Sequence, residues 1–267
     1  ILRLDVAAGL GAFITWMARF SVTNLKSSNK PPVLSHACAL TPAGAATRCS
    51  ALTSGINFWR AFVDMNRSLD NRGSDGVVKT NTSQGVQIYK SEKGLPTEIA
   101  ELIIHKYVFP YREKFLSTLA DENITQLIMC HTMPGMGTPN SLADDAGDYR
   151  PLFSLINEGD LHGDTKKDHL FASGKRIQMV GDIIEKHVQN LDTEFKYSKA
   201  LTYNFPYDNF SHARKLDPSY YEGKNAFSLE INRDLFNHNL ANITSVRAMM
   251  VEIIEKISAS LSLVVPA

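Results

Sequence analysis

The chain has 267 residues, 43% of them hydrophobic and 21% charged, which is enough apolar side chain to bury a sizeable core. Lys+Arg and Asp+Glu both number 28, so the formal net charge is zero and the composition offers no electrostatic footprint for nucleic acid or an anionic membrane surface. The cysteines, Cys38, Cys49 and Cys130, make neither a disulfide framework nor a CxxC metal site, and their sparse use predicts a reducing, cytoplasmic setting.

The apolar run Val6 to Ala18 is too short to cross a bilayer. Its spacing of Leu10, Phe13, Ile14 and Met17 predicts an amphipathic helix. With the polar stretch Ser27 to Pro32, it makes residues 1–30 a peripheral helix and linker on a single domain that takes the rest of 1–267. Val33 to Leu40 and Arg48 to Thr53 read as strands, and Asp70 to Gln84 as a loop rich in Asn, Gly, Ser and Asp. Pro96 to Ala120 has helical periodicity, with Pro110 expected to kink or divide it. Thr125 to Cys130 is an apolar β-type run ending at His131, and Pro134 to Tyr149 is a long polar segment. Ser173 to Leu191 reads as a helix with Ile177, Val180, Ile183, Ile184 and Val188 inward. Lys199 to Tyr203 and Ala226 to Ile231 read as strands, and Thr244 to Leu261 as a closing amphipathic helix. Strands alternating with helices predict an α/β sandwich with a mixed or mostly parallel sheet.

Four segments carry residues suited to chemistry. In QLIMCHTMPGMGTP, Gln126 to Pro139, a strand delivers His131 at its carboxyl end, where α/β sheets form ligand crevices. An imidazole there either binds metal or is satisfied by hydrogen bonds. In AFSLEINRDLF, Ala226 to Phe236, alternation puts Glu230 on the face opposite Phe227, Leu229 and Ile231. A carboxylate so placed is either catalytic or paired structurally, with Arg233 as the near partner. In RAFVDMNRSLDN, Arg60 to Asn71, the Asn66-Arg67 pair suits a carboxylate ligand, while a surface salt-bridge cluster of Arg60, Asp64 and Arg67 is by itself the commoner case. In LTYNFPYDNFSHAR, Leu201 to Arg214, Asn204 and Tyr207 either line a pocket or pack a loop on the domain. HExxH, GxSxG and P-loop patterns are absent from the sequence.

Taken in order, VDMNR, YVFPYREKF, IMCHTMPG, NFPY and SLEINRDLF resemble the N-formylglutamate amidohydrolase family over roughly Ala45 to Leu261. The resemblance implies a three-layer α/β sandwich, with a mixed, mostly parallel central sheet, of the zinc carboxypeptidase-like (phosphorylase/hydrolase-like) kind. It implies zinc as cofactor and a small-molecule acidic substrate, N-formylglutamate or a similar N-acyl amino acid. His131 is then a zinc ligand, and His36, in the family's early Pro-His-Ser-Gly position, is another. Glu230 is the general base, Arg60 assists substrate or oxyanion, Asn66 and Arg67 hold a substrate carboxylate, and Asn204 and Tyr207 line the substrate site. Cys38 stands in place of the family's glycine near His36, Arg112 in place of a histidine, and Asp208-Asn209 in place of Gly-Gly, and no acidic residue lies between Pro42 and Ile56 to serve as the second ligand. Two other readings stand beside this one: a relative that has lost catalysis and binds a metabolite or a protein partner, and a carboxypeptidase-like peptidase.

Overall fold

A computed structural model of the chain describes residues 37–40 and 51–54, most of 63–121, and 126–138, 145–164, 171–189, 191, 195–208, 221, 223–237 and 243–263. The strands are β1 (Ala37–Leu40), β2 (Ala51–Ser54), β3 (Gln126–Met133), β4 (Phe153–Ile156), β5 (Leu201–Tyr203) and β6 (Asn225–Asn232). They form one sheet in the order β2-β1-β3-β6-β4-β5. The helices are α1 (Thr97–Ile103), α2 (Phe109–Leu119), α3 (Gly174–Val188), α4 (Asp234–Asn237) and α5 (Ile243–Leu263). The expected N-terminal helix lies outside the described residues, as do His36, Arg60 and Asn66.

The sheet is mixed, but the expectation that it is mostly parallel is corrected. The β3–β6 and β4–β5 pairs are parallel, whereas β1–β2, β1–β3 and β4–β6 are antiparallel. The reason lies in the connections. A parallel return needs a crossover long enough to carry the chain back along the sheet. The segment after β3 instead stays at that strand's carboxyl end, where Met136 bridges Tyr149 and Gly137 bridges Ala146. β4 therefore starts where β3 stops and runs the other way. The helix α3 then supplies the crossover that makes β5 parallel to β4.

The two faces of the sheet follow from the alternation along β3 and β6. On one face Ile128, Cys130, Phe227, Leu229 and Ile231 join a core with Ile177, Val180, Ile184 and Val188 of α3 and Val246, Met250, Ile253 and Ile257 of α5. Those helical positions recur at the spacing that puts one stripe of each helix against a sheet. On the other face Leu127, Met129 and Ala226 pack with Phe115 and Leu119 of α2 and with Tyr221. Helices thus cover both faces, which makes the arrangement three-layered. No helix among the described residues is long and apolar enough to cross a membrane.

Pro110 sits in the first turn of α2, and the turn before it, Ile104–Val108, is π-helical. A proline lacks the amide proton of a regular helix and crowds the preceding turn. The wider turn accommodates both effects without ending the helix, so the predicted kink appears as a π-turn between two α segments. Ile104 and Val108 of that turn bury against Val63, Val77 and Val78, tying the segment before α1 to this layer.

Helix α3 touches β5 through Gly181, where a Cβ would overlap Tyr203 Oη and come within 3.0 Å of Leu201 Cδ2. Alanine is a better helix former than glycine by about 1 kcal/mol, but overpacking a closed interface costs roughly 1–3 kcal/mol. Gly181→Ala is therefore expected to lower the urea unfolding midpoint, and a raised midpoint would show that this interface yields.

Candidate active site

The register of β3 and β6 sets His131 directly beside Glu230 on adjacent parallel strands. Paired residues on neighbouring strands point to the same face, with backbones about 4.8 Å apart. That face is the one opposite Phe227, Leu229 and Ile231, as the alternation in the sequence predicts. Both side chains are buried, His131 at 7% exposure and Glu230 at 9%. The row continues through the antiparallel pair Glu230–Ser154 to Thr202 of β5. Ser154 Oγ is fully buried and has no hydrogen-bond partner among the described residues, which leaves a polar atom beside Glu230 unsatisfied.

The loop leaving β3 is bolted onto this end of the sheet. A Cβ on Gly135 would collide with the Asp234 carboxylate, and one on Gly137 with the Asp145 carbonyl, so only glycine permits these approaches. Gly135 accepts a hydrogen bond from the Arg150 amide at 2.9 Å. Asn232, on the same face of β6 as Glu230, donates from its side chain to the Pro151 carbonyl at 3.1 Å and from its amide to the Leu152 carbonyl at 2.8 Å. Arg150 is thereby fixed between the two strands that carry His131 and Glu230.

Arg150, which sequence reading did not single out, is a buried charge beside this loop. It is 2% exposed, and its guanidinium donates to both oxygens of Asp145, at 2.6 Å from Nε and 3.0 Å from Nη2. Its Nη1 donates to the Tyr207 hydroxyl oxygen at 2.6 Å. Burial works most strongly against the charge, but Asp145 and Tyr207 together outweigh it and hold Arg150 above its ordinary range. The sequence signal was slight: a lone arginine between a polar loop and the apolar run PLFSLI.

Tyr207 follows a turn that contains a cis Phe205–Pro206 bond. Asn204 anchors that turn. It adopts a φ of 48°, and its side-chain amide donates to Asn157 Oδ1 at 2.9 Å and to the Asp160 carbonyl at 2.7 Å. Its Oδ1 accepts from the Asn157 amide at 3.0 Å. Both amide protons of Asn204 are thus engaged inside the protein, which makes it the clamp of the loop that presents Tyr207.

Arg67 is tied to α2 through its backbone. Arg112 Nη2 donates to the Arg67 carbonyl at 2.9 Å. Arg112 shares a helical stripe with Phe115 and Leu119, which pack among Leu127 and Met129 of β3. The helix ends close to where β3 begins. From Leu119 back to Arg112 it rises about 10 Å, and β3 rises about 13 Å from Leu127 to His131. Arg112, and the Arg67 backbone with it, therefore stand toward the His131 end of the sheet. The Arg67 side chain lies 3.6 Å from Asp64, whose buried carboxylate also pairs with Lys79 at 3.3 Å. This part of the salt-bridge reading is present, with Lys79 a member that sequence spacing did not single out.

Imidazole nitrogen and carboxylate oxygen are donors that suit zinc. Among the described residues, however, no group of three or more His, Cys, Asp or Glu side chains could hold a metal ion. His131 is such a donor, but the described residues do not complete a site around it, and His36, the other expected ligand, lies outside them.

The sequence profile described as N-formylglutamate amidohydrolase matches residues 36–237. A comparison with curated proteins finds no match. Among solved structures the chain is similar to the crystal structure of N-formylglutamate amidohydrolase from Ralstonia eutropha JMP134, with a TM-score of 0.51 and 17% sequence identity, over 77% of this chain and 75% of that one. At that identity the likeness speaks for the fold. The profile runs through β1 to α4, takes in both strands of the His131–Glu230 pair and spans most of the chain, and on that ground the chain belongs to the N-formylglutamate amidohydrolase family.

Proposed function

We propose that this protein hydrolyses the amide of N-formylglutamate, or of a closely similar N-acyl amino acid, to the free amino acid and a small carboxylate. The observation that carries the reading is the side-by-side placement of His131 and Glu230 at the carboxyl end of two parallel strands, in a chain of this family. A zinc ion held by His131 with His36 would polarise the acyl oxygen and bring a water's pKa toward neutrality.

The chain's own residues account for the remaining work. Glu230 is the group that removes a proton from the attacking water. When the carbon–nitrogen bond breaks, the same carboxyl group returns that proton to the leaving amine. Its burial keeps competing solvent away from the carboxylate. Arg67 supplies a planar fork that matches a substrate carboxylate, assisted by Asn66. Arg60 keeps the oxyanion role that the family resemblance implies. Asn204 acts by holding the turn, and Tyr207 by reaching substrate from it.

Release of formate from N-formylglutamate by the purified protein is the direct test, with release of amino acids from short peptides as the result that would favour a peptidase instead. Glu230→Gln is expected to reduce kcat by roughly 100- to 10,000-fold, the usual range for a positioned general base, while leaving the thermal melt in place. Full turnover in that variant removes the base assignment. Arg67→Ala should raise KM on the order of 10- to 100-fold, in line with a charged hydrogen bond of about 1.5–3 kcal/mol, with kcat much less affected; an unchanged KM would take Arg67 out of the carboxylate clamp. Wild-type protein is expected to purify with zinc and His131→Ala without it, as measured by elemental analysis; equal metal content in the two would place the ion elsewhere.

A further inference from the structure

We propose that Ser154 is a positioning residue for Glu230, its buried hydroxyl and the Glu230 carboxylate sharing one non-reacting water molecule; this rests on the amidohydrolase reading above. Ser154 is the only polar side chain of β4, a strand buried along its whole length. Its Oγ is fully enclosed and bonds no group among the described residues. An apolar residue would occupy that position at less cost, because a buried hydroxyl gives up its hydration and recovers it only through a partner. The atom therefore calls for a partner beyond the described protein groups.

Register decides where that partner sits. Phe153 and Leu155 belong to the core beneath α3 and α5, so Ser154 faces the other way, to the side of His131 and Glu230. It pairs directly with Glu230 across the β4–β6 ladder and with Thr202 across the β4–β5 ladder. Opposed residues of an antiparallel pair have Cβ atoms about 5 Å apart, and a serine oxygen is one bond beyond its Cβ. Ser154 makes no direct hydrogen bond to the carboxylate. Polar groups held this near without a direct bond are the ones a single water bridges. Two other polar neighbours are committed elsewhere. Thr202 Oγ1 donates to the Phe205 carbonyl at 2.6 Å. Asn232, diagonal to Ser154 on β6, donates to the Pro151 carbonyl and accepts from the Asp234 amide at 2.9 Å. Glu230 has a further interaction of its own, and a carboxylate, with about four lone-pair sites, accepts a water besides. A water between Ser154 and Glu230 gains the two polar partners that a buried water needs. Held from β4 in this way, the carboxylate at the end of its flexible side chain is presented in one orientation.

The test uses the full chain, with kcat and KM for N-formylglutamate measured separately and thermal melts run alongside. Crystal structures of the wild type and of Ser154→Ala, at a resolution that shows ordered water, complete it. The wild type is expected to hold a water within hydrogen-bond distance of both Ser154 Oγ and a Glu230 oxygen. In Ser154→Ala that water is lost and kcat falls roughly 3- to 10-fold, the worth of one net hydrogen bond, with KM within about twofold and the melt not lowered. Ser154→Thr restores the hydroxyl and should return kcat to within about twofold of the wild type. Wild-type kcat in Ser154→Ala overturns the proposal, as does a water that touches Ser154 without touching Glu230, or no water on Ser154. A slower Ser154→Ala whose melt is lowered also overturns it, because that is what a purely structural serine gives, and so does a Ser154→Thr that melts like the wild type yet stays as slow as the alanine variant. A wild-type chain that releases no formate defeats the amidohydrolase reading instead. The two crystal structures then decide alone: a Glu230 carboxylate displaced in Ser154→Ala sustains the positioning role, and an unmoved one overturns it.

Discussion

The parallel pairing of β3 with β6 is the constraint from which the site follows. Side chains alternate faces along a strand, so a slip of one residue would send every inward group of β6 outward. The register that sets His131 opposite Glu230 also sets Ile128 opposite Phe227 and Cys130 opposite Leu229. Those apolar partners belong to the core beneath α3 and α5. Burial of the core therefore enforces the polar pair on the other face. The chemistry does not need its own folding energy to bring the imidazole and the carboxylate together.

The loop between β3 and β4 has a second task that the sheet imposes on it. It must turn the chain round at the carboxyl end of β3, next to the proposed reaction centre. Close approaches at Gly135 and Gly137 let it lie flat against Asp234 and Asp145. The Arg150 amide on the Gly135 carbonyl joins its two ends, and the Asp145–Arg150 pair braces its second half. The same segment that makes β4 antiparallel also brings a buried cation within reach of the Tyr207 turn. Topology and site construction are thus two results of one loop.

The parts of this structure that depend on short-range periodicity were legible in the sequence. The strands bearing His131 and Glu230, the face on which Glu230 lies, and the inward stripe of α3 all follow from alternation or from helical spacing. The strand β4 was not legible. Its run PLFSLI begins with proline, is buried throughout and shows no polar–apolar alternation to mark it. Missing that strand hid one of the three antiparallel pairs, β4–β6; the other two join β1 to β2 and to β3. Arg150 was hidden for a different reason: its importance lies in Asp145 and Tyr207, and only the folded loops bring those two to it. Asn204 was legible as a residue of interest in its motif, but its bonds to Asn157 and Asp160 join distant segments, and no local pattern could show them.

The π-helical turn at Ile104–Val108 sets the rotational phase of everything after it on that layer. Each residue added to or removed from a helix turns the following stripe by about 100°. With the wide turn in place, Ile104 and Val108 point to Val63, Val77 and Val78, while Phe115 and Leu119 point to the sheet and Arg112 meets the Arg67 carbonyl. A deletion of one residue there would regularise the helix and twist this alignment apart. The irregular turn works as a phase coupling, through which the segment bearing Arg67 stays aligned with the helix that packs on the strand bearing the histidine.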